Sequence, residues 1–238
     1  MRKFFAILLI LESVWAGGVF DCARAARELF NLQNSIVQKA YRSLPLGAWA
    51  RYSNGAKAVY VGPRKRHGIT LYGIDISGGP SMQIWYRIVP KTFHVAGKDY
   101  TFLTLDPYEL YLRTSRGVWF VDHSLLRAYI QMRGGRLSTI LTPAEIWIPP
   151  RCEYKVEIKT SPYRLPNRTS IIATRIRSLA NGAWVTASPD VPFGYVDDGT
   201  EDGGIGTHLV DFGFAGGEAG ITKVMRKEAK TFAPFPRR

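Results

Sequence analysis

Between Gly47 and Asp122 the chain repeats one pattern: a few residues of alternating apolar and polar character, then a turn. Trp49–Tyr52, Ala58–Val61, Ile69–Ile76, Met82–Val89, Phe93–Ala96, Tyr100–Leu105, Tyr108–Arg113 and Val118–Val121 are short and rich in β-branched and aromatic residues. The breaks are Asn54-Gly55, Gly62-Pro63, Gly78-Gly79-Pro80, Ala96-Gly97-Lys98 and Arg116-Gly117. Connections this short join antiparallel neighbours, and no helix-length segment intervenes, which excludes a parallel α/β sheet. Met82, Ile84, Tyr86 and Ile88 share one strand face against Gln83, Trp85 and Arg87. Likewise Tyr108, Leu110 and Leu112 oppose Glu109, Tyr111 and Arg113, and Val118 and Phe120 oppose Trp119 and Val121. Large apolar groups thus fall on both faces, and each face requires a cover of protein or ligand.

Two regions carry helical spacing instead. Over residues 23–44, Leu29, Phe30, Ile36, Val37, Ala40, Tyr41 and Leu44 recur every three or four positions. Arg27, Glu28, Gln33, Gln38 and Lys39 lie mostly opposite, and Pro45 ends the run. A helix with one apolar stripe must lie on one face of the sheet. In residues 122–147, Asp122 or Ser124 can cap a helix containing Leu125, Leu126, Tyr129, Ile130 and Met132, ended by Gly134-Gly135. Thr142-Pro143-Ala144-Glu145 then has capping-box spacing ahead of Ile146 and Trp147. These pieces either cover the sheet as a flap or plug it permanently. After Pro149-Pro150, Glu153–Lys159 alternates Tyr154, Val156 and Ile158 against a charged, wet face, and Ile171–Ile176 pairs with it across the Pro162–Pro166 loop.

The stretch from Gly182 to Gly213 reads as three short strands. Ala183–Ala187 is apolar; Val191-Pro192-Phe193-Gly194 is extended but not a fully paired central strand, since Pro192 has no amide donor. Thr207–Phe214 then alternates His208, Val210, Phe212 and Phe214 against Leu209 and Asp211. A strand running Trp-Val-x-x-Ser-Pro-Asp-Val-Pro-Phe-Gly (184–194), followed by Leu-Val-Asp-Phe-Gly (209–213), resembles the C-terminal strands of the LolA/LolB-like periplasmic carriers. That resemblance implies a half-barrel that holds acyl chains, with inserted helices forming a lid over its mouth, and residues 122–147 occupy a similar inserted position. The expected architecture is mainly β (α+β): a single strongly curved antiparallel sheet, a half-barrel, with an N-terminal helix and inserted lid-like helices. The expected function is a non-catalytic carrier or chaperone binding a lipid or lipoprotein acyl chain. Trp85, Tyr86, Trp119, Phe120, Leu125, Tyr129, Met132 and Trp147 are the candidate cavity residues.

No catalytic constellation competes with that reading. His67, His94, His123 and His208 are scattered, and Asp122-His123-Ser124 are neighbours that read as a helix cap, not a triad. The acidic loop Asp197-Asp198-Gly199-Thr200-Glu201-Asp202-Gly203-Gly204 lacks EF-hand spacing and reads as a solvated hairpin end. Arg64-Lys65-Arg66 reads as a solvated turn. No phosphate-cradling or dinucleotide loop is present, so no metal or cofactor is expected. Apolar burial needs none of these, at roughly 0.8 kcal/mol per methylene.

Charge and the ends of the chain set the surroundings. A formal charge of +13 and a pI near 9.9 favour anionic partners, and no nucleic-acid motif accompanies them. Residues 218–238 carry Lys223, Arg226, Lys227, Lys230, Arg237 and Arg238 and read as a weak helix with a disordered, solvated end, or as a contact with an anionic membrane surface. Arg2-Lys3, the apolar Phe4–Leu11 and Val14-Trp15-Ala16 form a signal peptide, residues 1–16, cleaved after Ala16 or alternatively after Ala25. The mature domain is then residues 17–217, in the periplasm or otherwise exported. There Cys22 and Cys152 can form a disulfide that stabilises by roughly 2–5 kcal/mol, unless cleavage after Ala25 removes Cys22. Two other functions fit the same sequence: a structural envelope module with a filled core, and a basic binder of an anionic polymer.

Overall fold

The Asp21 carboxylate accepts the Arg24 amide and so caps the first helix, α1 (Cys22–Val37). Its stripe of Ala25, Ala26, Leu29, Phe30, Ile36 and Val37 is buried, as the spacing predicts. The helix then widens into a π turn over Gln38–Arg42, where the Ser43 amide reaches back five residues to Gln38. The computed structural model describes residues 21–79, 81–132, 152, 155–201 and 204–232.

The protein is mainly β. β1 (Trp49–Tyr52), β2 (Lys57–Arg66), β3 (Ile69–Ser77), β4 (Met82–Val95), β5 (Lys98–Thr114) and β6 (Gly117–Val121) form one meander. After α2 (His123–Met132), a second meander follows: β7 (Val156–Arg164), β8 (Ser170–Ser178), β9 (Trp184–Ala187), β10 (Tyr195–Gly199) and β11 (Ile205–Gly213). Pairing of β1 with β11 joins the two into one open sheet, ordered β12-β6-β5-β4-β3-β2-β1-β11-β10-β9-β8-β7. Every pair is antiparallel except β12 (Lys230–Thr231), which follows the short helix α3 (Lys223–Lys227) and runs parallel to β6.

Several predicted breaks are bulges inside longer strands. β4 runs through Pro90, which stays in register opposite Leu103, and β5 runs through Pro107, where a register shift after Trp85 sets Tyr86 opposite Pro107 and leaves Tyr108 as the extra residue. Tyr108 therefore leaves the face of Leu110 and Leu112 and joins Trp85, Tyr111 and Phe120. A second shift, opposite Tyr52, makes Val210 the extra residue and puts Phe212 on the same side as Leu209, against the expected alternation. Val191–Gly194 is a turn, and the strand beside β9 is Tyr195–Gly199, which runs into the stretch expected to be an acidic loop. Asp197 is accordingly buried, accepting from Tyr163 at 2.9 Å and Arg175 at 3.3 Å.

One helix serves both wings of the sheet. Phe30 stacks on Phe102 of β5 with ring centroids 4.6 Å apart, and the same cluster holds Val156, Ile176 and Val185 of β7, β8 and β9. Cys22 is disulfide-bonded to Cys152. Along β5, β6 pairs with Leu110–Thr114 alone, and farther back Gln33 and Asn34 bond the carbonyl and amide of Leu103.

The far side of β2–β6 is covered by the chain's last described segment, not left to solvent as the basic composition predicts. Ile221 is fully buried with Leu71, Trp85 and Tyr111, and Met225 and Ala229 pack beside them. The second predicted helical piece, at 142–147, lies outside the described residues.

Candidate binding site

The ends of six adjacent strands meet at one end of the sheet. β7 ends and β8 begins there, β9 ends and β10 begins, and β11 ends beside the start of β1. Leu165–Thr169 makes the first turn: the Leu165 amide donates to Thr169, Asn167 accepts the Thr169 amide, and Arg168 adopts φ +68°. Ser188 Oγ donates to the Ile172 carbonyl at 2.6 Å and accepts the Asp190 amide, fixing the second turn to β8. Phe193, at φ +65°, donates its amide to Ala40 and accepts the Tyr41 hydroxyl at 3.1 Å, which ties that turn to the π turn. Gly194 passes so close to Ile36 that a Cβ there would collide with it.

These turns enclose an open pocket of about 390 Å³ lined by Pro162, Thr169, Ser170, Ile171, Ile172, Asp190, Phe212 and Phe214. Its volume is in the range of small-ligand sites, roughly 300–1,000 Å³. Phe212 and Phe214 meet edge to face at 5.7 Å, while Ile172 and Phe214 remain about half exposed. The one charged lining group, Asp190, is held by Lys39 at 3.4 Å. The wall is apolar, with polar groups at its margin.

Of the eight candidate cavity residues, the five whose side chains are described do not line this pocket. Trp85 and Phe120 lie on the sheet face beneath the C-terminal segment. The Arg64 guanidinium sits 4.0 Å from the Trp85 ring and Arg226 5.2 Å from it, while Arg66 lies over Phe120. Trp119 packs at the sheet edge against Phe232 and Lys230. Tyr86 and Leu125 belong to the opposite, helix-covered core. The side chains of Tyr129 and Met132, and Trp147 entirely, lie outside the described residues. Consecutive strand residues point to opposite faces, which is why Trp85 and Tyr86 belong to different clusters. The pocket residues carried one sequence signal: Ile171 and Ile172 are adjacent and both apolar, so one of them must face away from the core.

Polar chemistry collects elsewhere. Arg64 and Arg66 both pair with Glu109, which is buried, so this is not a solvated turn. Asp75, equally buried, accepts the Gly220 and Ile221 amides at 2.9 Å and Gln83 at 3.0 Å; Gln83 in turn accepts Trp85 and Arg226. Burial lowers the pKa of Arg64 and of Arg226, the latter also through the charge of Arg64. In the opposite core, burial drives the Tyr41 hydroxyl well above its ordinary value, and the nearby Tyr86 and Tyr52 phenols add to this.

His123 stacks on Tyr108 at 4.7 Å and lies 3.9 Å from Asp106, which Arg87 holds at 2.6 Å. The Ser124 hydroxyl donates to Asp122, which also accepts the Leu125 amide; these bonds cap α2 and lower the Asp122 pKa. Among the described residues no three His, Cys, Asp or Glu side chains converge as metal ligands. No protein-family model matches the chain, and no curated protein matches it in sequence.

Proposed function

We propose that this is an exported, non-catalytic protein that binds a lipid or lipoprotein acyl chain, in a strongly curved sheet of the LolA/LolB-like kind. The pocket walled by Ile171, Ile172, Phe212 and Phe214 carries this reading: it is apolar, open to solvent and large enough for a chain segment. Curvature is supported by α1. β5 and β7 stand nine places apart in the sheet order, so a flat sheet would separate them by roughly 43 Å at about 4.8 Å per strand, yet one helix contacts both. A half-barrel wrapped around the helix accounts for that. Leu125 and Ile130 turn α2 toward the same core, consistent with a lid-like element. The disulfide supports an oxidising compartment, and burial of Ala25 and Ala26 supports processing after Ala16 over processing after Ala25.

A second reading, a structural module with a filled core, has its own support. The helix-covered interior is closed by Leu29, Ile36, Val37 and Tyr41, each at most 3% exposed. Titration with fluorescent fatty acids of increasing length separates the two. An acyl-chain site gives saturable binding that tightens about fourfold per added methylene, and that Ile172→Glu and Phe214→Glu weaken by at least about tenfold. Absence of saturable binding, or binding indifferent to both substitutions, favours the structural module.

A further inference from the structure

The end of the sheet that holds the pocket also has an unusual surface. Six large apolar side chains stand exposed among the described residues; Ile172 at 52% and Phe214 at 48% stand here, and Leu46 at 73% lies on the loop that leads into β1 at the same end of the sheet. Ile172 and Phe214 share the pocket wall. Leu46 sits on the loop whose Gly47 carbonyl accepts the Gly217 amide, three residues after Phe214. An exposed leucine alone means nothing, but several large apolar groups at one end of a sheet leave a surface that water solvates poorly.

The charges around them are unbalanced. Arg42 closes the π turn, Arg164 ends β7, and Arg168 lies in the turn between β7 and β8; all three are exposed. The nearby carboxylates are already engaged: Asp190 by Lys39, and Asp211 by Arg51 at 3.6 Å and Asn167 at 2.8 Å. Among the described residues no carboxylate pairs with Arg42, Arg164 or Arg168. Exposed apolar groups ringed by unpaired cations match a bilayer interface, where side chains enter the headgroup region and guanidiniums meet lipid phosphates. A nucleic-acid or polysaccharide groove uses the cations and a stacking phenylalanine but gains nothing from an exposed leucine and isoleucine.

We infer that this end of the sheet is a docking surface for an anionic lipid bilayer: Leu46, Ile172 and Phe214 enter the headgroup layer while Arg42, Arg164 and Arg168 contact lipid phosphates. The inference deepens the acyl-chain reading and rests on it for purpose, because docking sets the pocket mouth against the membrane that supplies or receives the chain. The physical basis of docking is separate, and so is its test.

The test is co-sedimentation of the full chain with phosphatidylglycerol-containing phosphatidylcholine vesicles, and with phosphatidylcholine vesicles alone. Arg42, Arg164, Arg168 and Leu46 lie outside the pocket wall, so their substitution leaves fatty-acid binding in solution as an independent readout. The wild type is expected to bind the anionic vesicles and to be released by salt. The triple variant Arg42→Gln, Arg164→Gln, Arg168→Gln should weaken binding by on the order of 100-fold, about fivefold per guanidinium. Leu46→Glu should weaken it by at least about tenfold. Failure of the wild type to bind anionic vesicles overturns docking, as does binding unchanged in both variants. Equal, variant-sensitive binding to heparin with none to vesicles also overturns it, in favour of an anionic polymer. Vesicle binding as expected without any fatty-acid binding leaves docking standing and sinks the acyl-chain reading instead.

Discussion

At the scale of single residues, position on a pleated strand decides whether a side chain builds the core, the far face or the pocket. Trp85 shows how tightly this is set. It lies directly opposite Gly73 in the pairing of β3 with β4, and a Cβ at Gly73 would stand 2.8 Å from the indole and closer still to Val61. The Trp85 N–H donates to Gln83 and two guanidiniums lie over the ring, so the indole has little freedom to retreat. Gly73→Ala should therefore cost about 1–3 kcal/mol through overpacking, read as a lower urea midpoint with unchanged slope. An unshifted midpoint would mean that Trp85 packs more loosely than described. The alternation that places Trp85 opposite Tyr86 was legible in the sequence. That Trp85 lies under protein, not at a cavity, was not, because its cover is more than a hundred residues away in the chain.

At the scale of elements, α1 was the most legible part. Its apolar spacing, its termination near Pro45 and its burial all follow from the sequence, since helical periodicity is a local property. The strands were legible as strands but not in their lengths, because Gly62-Pro63 was read as a break and strands were expected to end at Val89 and Leu105, whereas β2, β4 and β5 run through these points. The C-terminal segment was the least legible. Its lysines and arginines suggest solvent, yet Ile221, Met225 and Ala229 are spaced four apart and bury a stripe on the sheet. The matching signal was Asp75 and Gln83, polar residues on strand faces that are buried because they bind that segment. Asp75→Ala would leave the Gly220 and Ile221 amides without an acceptor, at a cost of about 1–3 kcal/mol. The segment from Gly217 onward should then become cleavable by limited proteolysis before the rest unfolds. Loss of the whole domain at once, with no early cut near residue 220, would show that the segment is not a separable strap.

At the scale of the whole molecule, the sheet gathers an unusual number of buried phenols. Burial pushes Tyr60 and Tyr163 up to about 12, Tyr163 also through its bond to Asp197, and likewise drives Tyr41, Tyr52, Tyr86 and Tyr195 well above their ordinary value. An unfolded tyrosine loses its proton near pH 10, so above that pH the unfolded chain binds fewer protons than the folded one. These groups leave stability intact below about pH 10 and remove it progressively as pH rises toward 12 and beyond. The urea midpoint should fall between pH 9 and pH 11; a flat profile across that window would contradict the burial of these side chains.

The central claim is that an apolar chain occupies the pocket at the end of the sheet. Native mass spectrometry of the protein purified from its native source tests it most directly. The account predicts a mass increment of one acyl-bearing species per chain, lost in the Phe214→Glu variant. A wild-type chain that flies bare, and stays bare after incubation with fatty acid, would contradict it.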